Sequence, residues 1–291
     1  MRPLSVKTVH AILAGLLSVP CLAGQGSSSC TGGDPLSEAG FVECARGATR
    51  RYQDRAAAVL DGYRRIGDDF PSMGEHWIHV GLVFDGEFDP AQPEVLTYVV
   101  VGELPVLLGV AYLLPLLEGE TPPDWPAGPD AWHDHYRTLD EETLVPGHHM
   151  SGTGGEGPRL AMLHAWIWSE SPSGVFAADN WAIPYLRLGL SVSDAAPAVP
   201  RALSLVSGGA EYFERVVARA QGRDADAPPG VTAAFDSALA EVGVVLDGRA
   251  GSRLDAGEEA RLAGIWERLW ARIGNLVDPA ALDQLGHLNI P

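Results

Sequence analysis

The chain has 291 residues, of which 46% are apolar and 20% charged, and it carries a formal net charge of −18. That composition describes a folded protein with a sizeable core, one large domain or two ordinary ones, and excludes a disordered chain. Lys7 is the only lysine and no basic patch is visible, so the counter-ion release that drives nucleic-acid binding is missing and no nucleic-acid partner is expected.

Residues 1–23 read as an export signal, with Arg2 and Lys7 in the leader, an apolar stretch from Val9 to Leu22 and a cleavage point near Ala23. The apolar stretch is too short to span a bilayer comfortably, so no integral span is expected after cleavage. A lipid anchor on Cys21 is the other reading of this leader, disfavoured by Pro20 directly before it. Cleavage leaves Cys30 and Cys44, which in an exported chain are expected to pair. It also removes Arg2 and Lys7 and takes the formal charge from −18 to −20. The expected location is periplasmic or secreted.

Residues 24–73 form the second segment. Phe41, Ala45, Ala48, Tyr52, Ala56, Val59, Leu60 and Tyr63 recur at three- and four-residue steps, which predicts one helix over 34–67 ending near Ile66 and Gly67. Over residues 74–194 the period changes. "HWIHVGLVF", "EVLTYVVV", "LPVLLGVAYLLP" and "RLAMLHAWIW" read as antiparallel strands, with hairpin turns at "DGEFDPAQP" and "GE" and long connections through "EGETPPDWPAGPDAW" and "GHHMSGTGGEGP". Over residues 195–291 the helical period returns in three amphipathic stretches, the last opening at Asp255 as a cap. The expected fold class is α+β: a central antiparallel β-sheet or barrel-like domain, an N-terminal helix and a C-terminal helical bundle that offers a docking face for a protein partner.

Several chemistries are absent. There is no G-x-S-x-G elbow, no H-E-x-x-H helix, no C-x-x-C and no lysine after the leader to complete a phosphate-binding loop. "GTGGEG" at 152–157 matches a dinucleotide fingerprint in letters only, because it precedes Pro158 and a strand where a helix is needed. "DGEFD" alternates like a calcium loop, but Leu96 stands where the closing acid belongs, and a solvated turn is expected there.

The histidines carry the strongest signal. Of nine, seven lie between 76 and 164: His76, His79, His133, His135, His148, His149 and His164. If 76–84 is a strand, His76 shares a face with Ile78, Val80 and Leu82 while His79 points the other way. His164 is in phase with Leu160, Met162, Trp166 and Trp168, so two imidazoles on apolar strands can meet at one spot. "WHDHY" adds His133 and His135, two residues apart and so on one side of an extended segment. Neutral imidazole is the commonest transition-metal ligand, and the expected ligand set is His76, His133, His135 and His164, with Glu75 or Glu94 as proton carrier. The adjacent His148 and His149 sit in a Gly-rich loop and are not part of this set.

"DGYRRIGDDFPSMGEHWIH", "PEVLTYVV", "LLGVAYLLP" and "LAMLHAWIWSESPSGVFAADNW" resemble the signatures of a broad set of exported bacterial proteins, with M-G-x-H-W early and L-H-A-W-x-W followed by P-x-G-x-F later. The resemblance covers roughly residues 45–192. It implies no activity, cofactor or partner, but it singles out His76 and His164. Members of that set carry V-E-Y where this chain has Val110, Ala111 and Tyr112, so if that glutamate serves a site, Ala111 leaves the ligand set here short. "HDHYRTLD" also resembles a first cupin motif, but Ala177 stands where the downstream cupin histidine is required.

The function expected on these grounds is exported transition-metal binding, of zinc, copper, iron or manganese, extending to a mononuclear metal enzyme of oxidase or hydrolase type. The second reading is a non-enzymatic binding module in which Trp77, Trp132, Trp166, Trp168 and Trp181 line a pocket for a small molecule.

Overall fold

The structure is a computed structural model that describes residues 37–117, 119–136, 159–222, 227–247, 249 and 251–287, with the backbone alone at 134–136, 159, 284, 286 and 287. The export signal, Cys21, Cys30, His148, His149 and "GTGGEG" lie outside the described residues.

The single helix expected over 34–67 is two short ones. Ser37 accepts the Gly40 N–H and starts α1 (Glu38–Thr49), which buries Phe41, Cys44 and Ala45. After a 3-10 turn, Arg50–Gln53, Asp54 leaves the helical conformation and caps α2 (Arg55–Leu60) by accepting from the Ala56 N–H. The left-handed Gly62, at φ 107°, then turns the chain into β1 (Arg64–Phe70). The apolar period continues through Tyr63 because Tyr63 is itself a core residue, buried with its hydroxyl donating to the Pro93 carbonyl.

Strand β2 (Gly74–Ile78) is shorter than expected. His79 leaves the sheet, and its ring nitrogen accepts the Leu82 N–H to cap α3 (Val80–Val83). Strands β3 (Val95–Val101) and β4 (Leu104–Leu116) make the expected hairpin across Gly102 and Glu103. β5 (His133–Tyr136) and β6 (Arg159–Ala165) complete a six-stranded sheet of order β1-β2-β3-β4-β6-β5, antiparallel at every pairing. β4 is bulged: Thr97 faces Gly109 and Tyr98 faces Leu107, so Leu108 is an extra residue.

The two faces of the sheet bury different cores. Leu96, Tyr98, Val110, Tyr112 and Leu163 pack with Phe41 of α1 into an aromatic cluster. Phe41 is its hub, with Tyr112, Trp125 and Phe176 edge-on at 5.5, 5.5 and 5.3 Å between centroids. On the other face Phe70, Val99, Leu108 and Trp166 pack against the C-terminal helices. These are α4 (Ile183–Arg187), α5 (Ala198–Ser204), α6 (Ala210–Ala220), α7 (Pro229–Leu246), α8 (Ala256–Gly274) and α9 (Pro279–His287). A π-type turn with Gly208 at φ 93° separates α5 from α6. Asp255 is the cap expected of it, in a capping box with Glu258. By length and composition α7 is apolar enough to cross a membrane, but its Val231, Phe235, Val242 and Val245 are buried in the helical core. The protein is an α+β fold, an antiparallel sheet between a short N-terminal helical segment and a C-terminal helical layer.

Candidate metal centre

Alternation along the strands sorts the candidate residues before any distance is measured. His76 pairs with Thr97, Thr97 with Gly109, Ala111 with His164, and Met162 with His133. Directly opposed residues share a face and so do residues two apart on a strand. His76, Thr97, Gly109, Ala111, Met162, His164 and His133 therefore stand on one side of the sheet. Their neighbours there include Val95 and Leu113, all apolar and buried.

Two strands separate β2 from β6, which on a flat sheet would hold His76 and His164 roughly 14 Å apart, three spacings of about 4.8 Å. The two side chains converge across that gap, and Nε2 of His76 lies 3.4 Å from Nε2 of His164. Both rings are buried. His164 Nδ1 is 2.6 Å from the Ala178 carbonyl oxygen, so Nδ1 carries the proton and donates, leaving the Nε2 lone pair aimed at His76. The His133 ring adjoins this pair with its centroid 5.1 Å from that of His164, against 5.6 Å between His76 and His164. Phe70 closes the His76 side edge-on at 5.1 Å and Trp166 the His164 side at 5.4 Å.

A connecting segment anchors this arrangement. The Trp166 indole donates to the Ala177 carbonyl, Asn180 N–H donates to the Ser72 carbonyl and Ser72 Oγ donates to Asp179. The buried Asn180 also donates to the Glu170 carbonyl and accepts the Ala182 N–H. The stretch from Glu170 to Ala182 thus ties the β1–β2 turn, four residues before His76, to the carbonyl that orients His164. Nothing in the sequence marks Ala178, because a backbone carbonyl has no side-chain signature.

The remaining predicted residues go elsewhere. β5 sets His135 opposite Leu160, and its side chain lies outside the described residues. Glu75, one residue before His76, takes the opposite face and is held by Arg55 at 3.1 Å and Arg65 at 3.0 Å, with the Trp77 indole donating to it. Glu94 precedes Val95, so alternation sends it toward the face of Leu96 and Tyr112, where it accepts the Leu113 N–H at 3.0 Å. Burial pushes its carboxyl up to about 8, reinforced by the nearby Asp85 and Asp89 and opposed by the backbone donors. His79 packs edge-on to Tyr63 at 5.3 Å as the cap of α3. Ala111, directly opposite His164, is fully buried on the histidine face. Among the described residues no three His, Cys, Asp or Glu groups are drawn together as a ready metal-binding group; what is assembled is a close pair of imidazoles with a third ring beside it.

Comparison with protein-family models, with curated proteins and with solved structures gives no match. The case for the site rests on its own geometry. Of the five tryptophans assigned to a pocket in the second reading, Trp77, Trp132 and Trp168 belong to the aromatic core, Trp166 to the helical core, and Trp181 stacks under Arg201.

Proposed function

We propose that the protein holds one transition-metal ion on the histidine-bearing face of its sheet, bound through Nε2 of His76 and His164 and through the imidazole of His133. The observation that carries this is the 3.4 Å separation of the two Nε2 atoms. Metal–nitrogen bonds of about 2.0–2.1 Å at a tetrahedral angle put neighbouring ligand atoms about 3.3–3.4 Å apart. A direct N–H···N hydrogen bond between the rings would be long at that distance, since amide hydrogen bonds centre near 2.9–3.0 Å. The carbonyl that fixes the His164 tautomer is the usual support for a metal-bound imidazole.

The burial of all three rings favours holding the ion. An oxidase or hydrolase activity needs one coordination position open to water or substrate. Export and a Cys30–Cys44 bridge belong to the same proposal; Cys44 is buried on α1, the helix nearest in sequence to the expected signal.

The test is elemental analysis of untagged protein purified without chelator, as wild type and as His76→Ala/His164→Ala. The expected result is about one equivalent of a transition metal in the wild type and its loss in the folded double variant. A folded wild type that takes up no metal, even when reconstituted, refutes the proposal.

A further inference from the structure

The metal reading leaves the ion open, and the face on which the histidines stand narrows it. Among the described residues β2, β3, β4 and β6 bring no carboxylate to that face: their positions there are Ile78 and His76 on β2, Val95, Thr97 and Val99 on β3, Gly109, Ala111 and Leu113 on β4, and Leu160, Met162 and His164 on β6, while Asp68 and Asp69 of β1 are matched by Arg215 and Arg187. The buried acids of the sheet region, Glu75 and Glu94, take the other face, and Glu75 is already matched by two arginines. Asp179, the acid next to the Ala178 carbonyl, accepts from Ser72 and lies in the field of Arg201. An ion bound here by neutral imidazoles keeps its full charge in apolar surroundings. The cost of desolvating an ion rises as the square of its charge, so a divalent ion costs about four times what a monovalent ion of the same size costs.

Met162 supplies the second observation. It is directly opposite His133, two residues before His164 on the same face, and buried at 2% exposure. A thioether is uncharged and soft, the ligand type that selects Cu(I) over zinc, iron or manganese. Resting on the metal reading above, we infer that the site is built for Cu(I), a monovalent soft cation, with the Met162 sulfur joining the imidazoles of His76, His133 and His164.

The experiment is an anaerobic titration of the mature protein with Cu(I) in competition with a chromophoric Cu(I) chelator, and separate titrations with Zn²⁺ and Co²⁺. Wild type is compared with Met162→Leu, a swap that preserves core volume, and with His76→Ala/His164→Ala. The expected result is one Cu(I) per chain, at least tenfold weaker in Met162→Leu, while Zn²⁺ and Co²⁺ affinities change less than about twofold. X-ray absorption of the wild-type Cu(I) complex reads the same point without a variant, as a sulfur scatterer beside nitrogen. Stoichiometric Zn²⁺ or Co²⁺ binding, lost in the double histidine variant, with Cu(I) no tighter and no sulfur at the metal, overturns this inference and leaves the metal site standing. Failure of every ion to bind folded wild type overturns both.

Discussion

Glu94→Gln isolates the cost of keeping a carboxyl in the core. Glu94 is 1% exposed, and its carboxyl is raised from 4.5 to about 8 by burial. Between those two values the folded chain holds a proton that the unfolded chain has released, so stability falls as pH rises, starting near 4.5 and levelling off above about 8. The gap between 4.5 and about 8, at about 1.36 kcal/mol per pH unit, sets a ceiling of roughly 5 kcal/mol; relaxation around the charge brings the expected loss to about 2–4 kcal/mol. Glutamine keeps an oxygen to accept the Leu113 N–H but cannot ionise. In urea denaturation with chelator present, parent and variant should be close at pH 5, and the variant more stable by about 2–4 kcal/mol at pH 9. Parallel profiles from pH 5 to 9 would refute the argument that burial holds this carboxyl neutral.

Two further perturbations test the frame around the site. Phe41→Ala removes the hub of the aromatic core, a ring with no exposure, and should lower unfolding free energy by about 3–5 kcal/mol in chemical denaturation. Gly74→Ala places a side chain at φ 74°, directly against the Tyr98 carbonyl. It should cost at least about 2 kcal/mol by thermal melting and, being two residues before His76, should weaken metal uptake as well.

Strand phase made part of the centre legible. His76 and His164 each sit in an alternating apolar run, and period two is enough to say that both point inward. The same rule places Glu75 on the face opposite His76. What phase could not supply was where β2 ends: "HWIHVGLVF" is equally apolar as strand or helix, and the capping bond from His79 to Leu82 decides it. The break between α1 and α2 was hidden for a related reason, since Tyr52 and Tyr63 serve one core from different elements and so preserve a helical spacing across a non-helical segment. The arginines that hold Glu75 come from α2 and β1, and partners across elements leave no local pattern.

The extra residue in β4 has a consequence for how the chain can vary. By absorbing one position, Leu108 shifts the phase of the strand, so that Gly109, Ala111 and Leu113 line the histidine face while Tyr112 and Leu114 go to the aromatic core. Straightening the bulge with the residue kept, so that Leu108 paired with Thr97, would exchange the two sets across the whole second half of the strand, presenting tyrosine and leucine to the imidazoles. The two faces therefore keep their side chains only while Leu108 is skipped in the pairing with β3. Leu108 acts as a frame marker, keeping the histidine-facing and aromatic layers separate along one continuous strand.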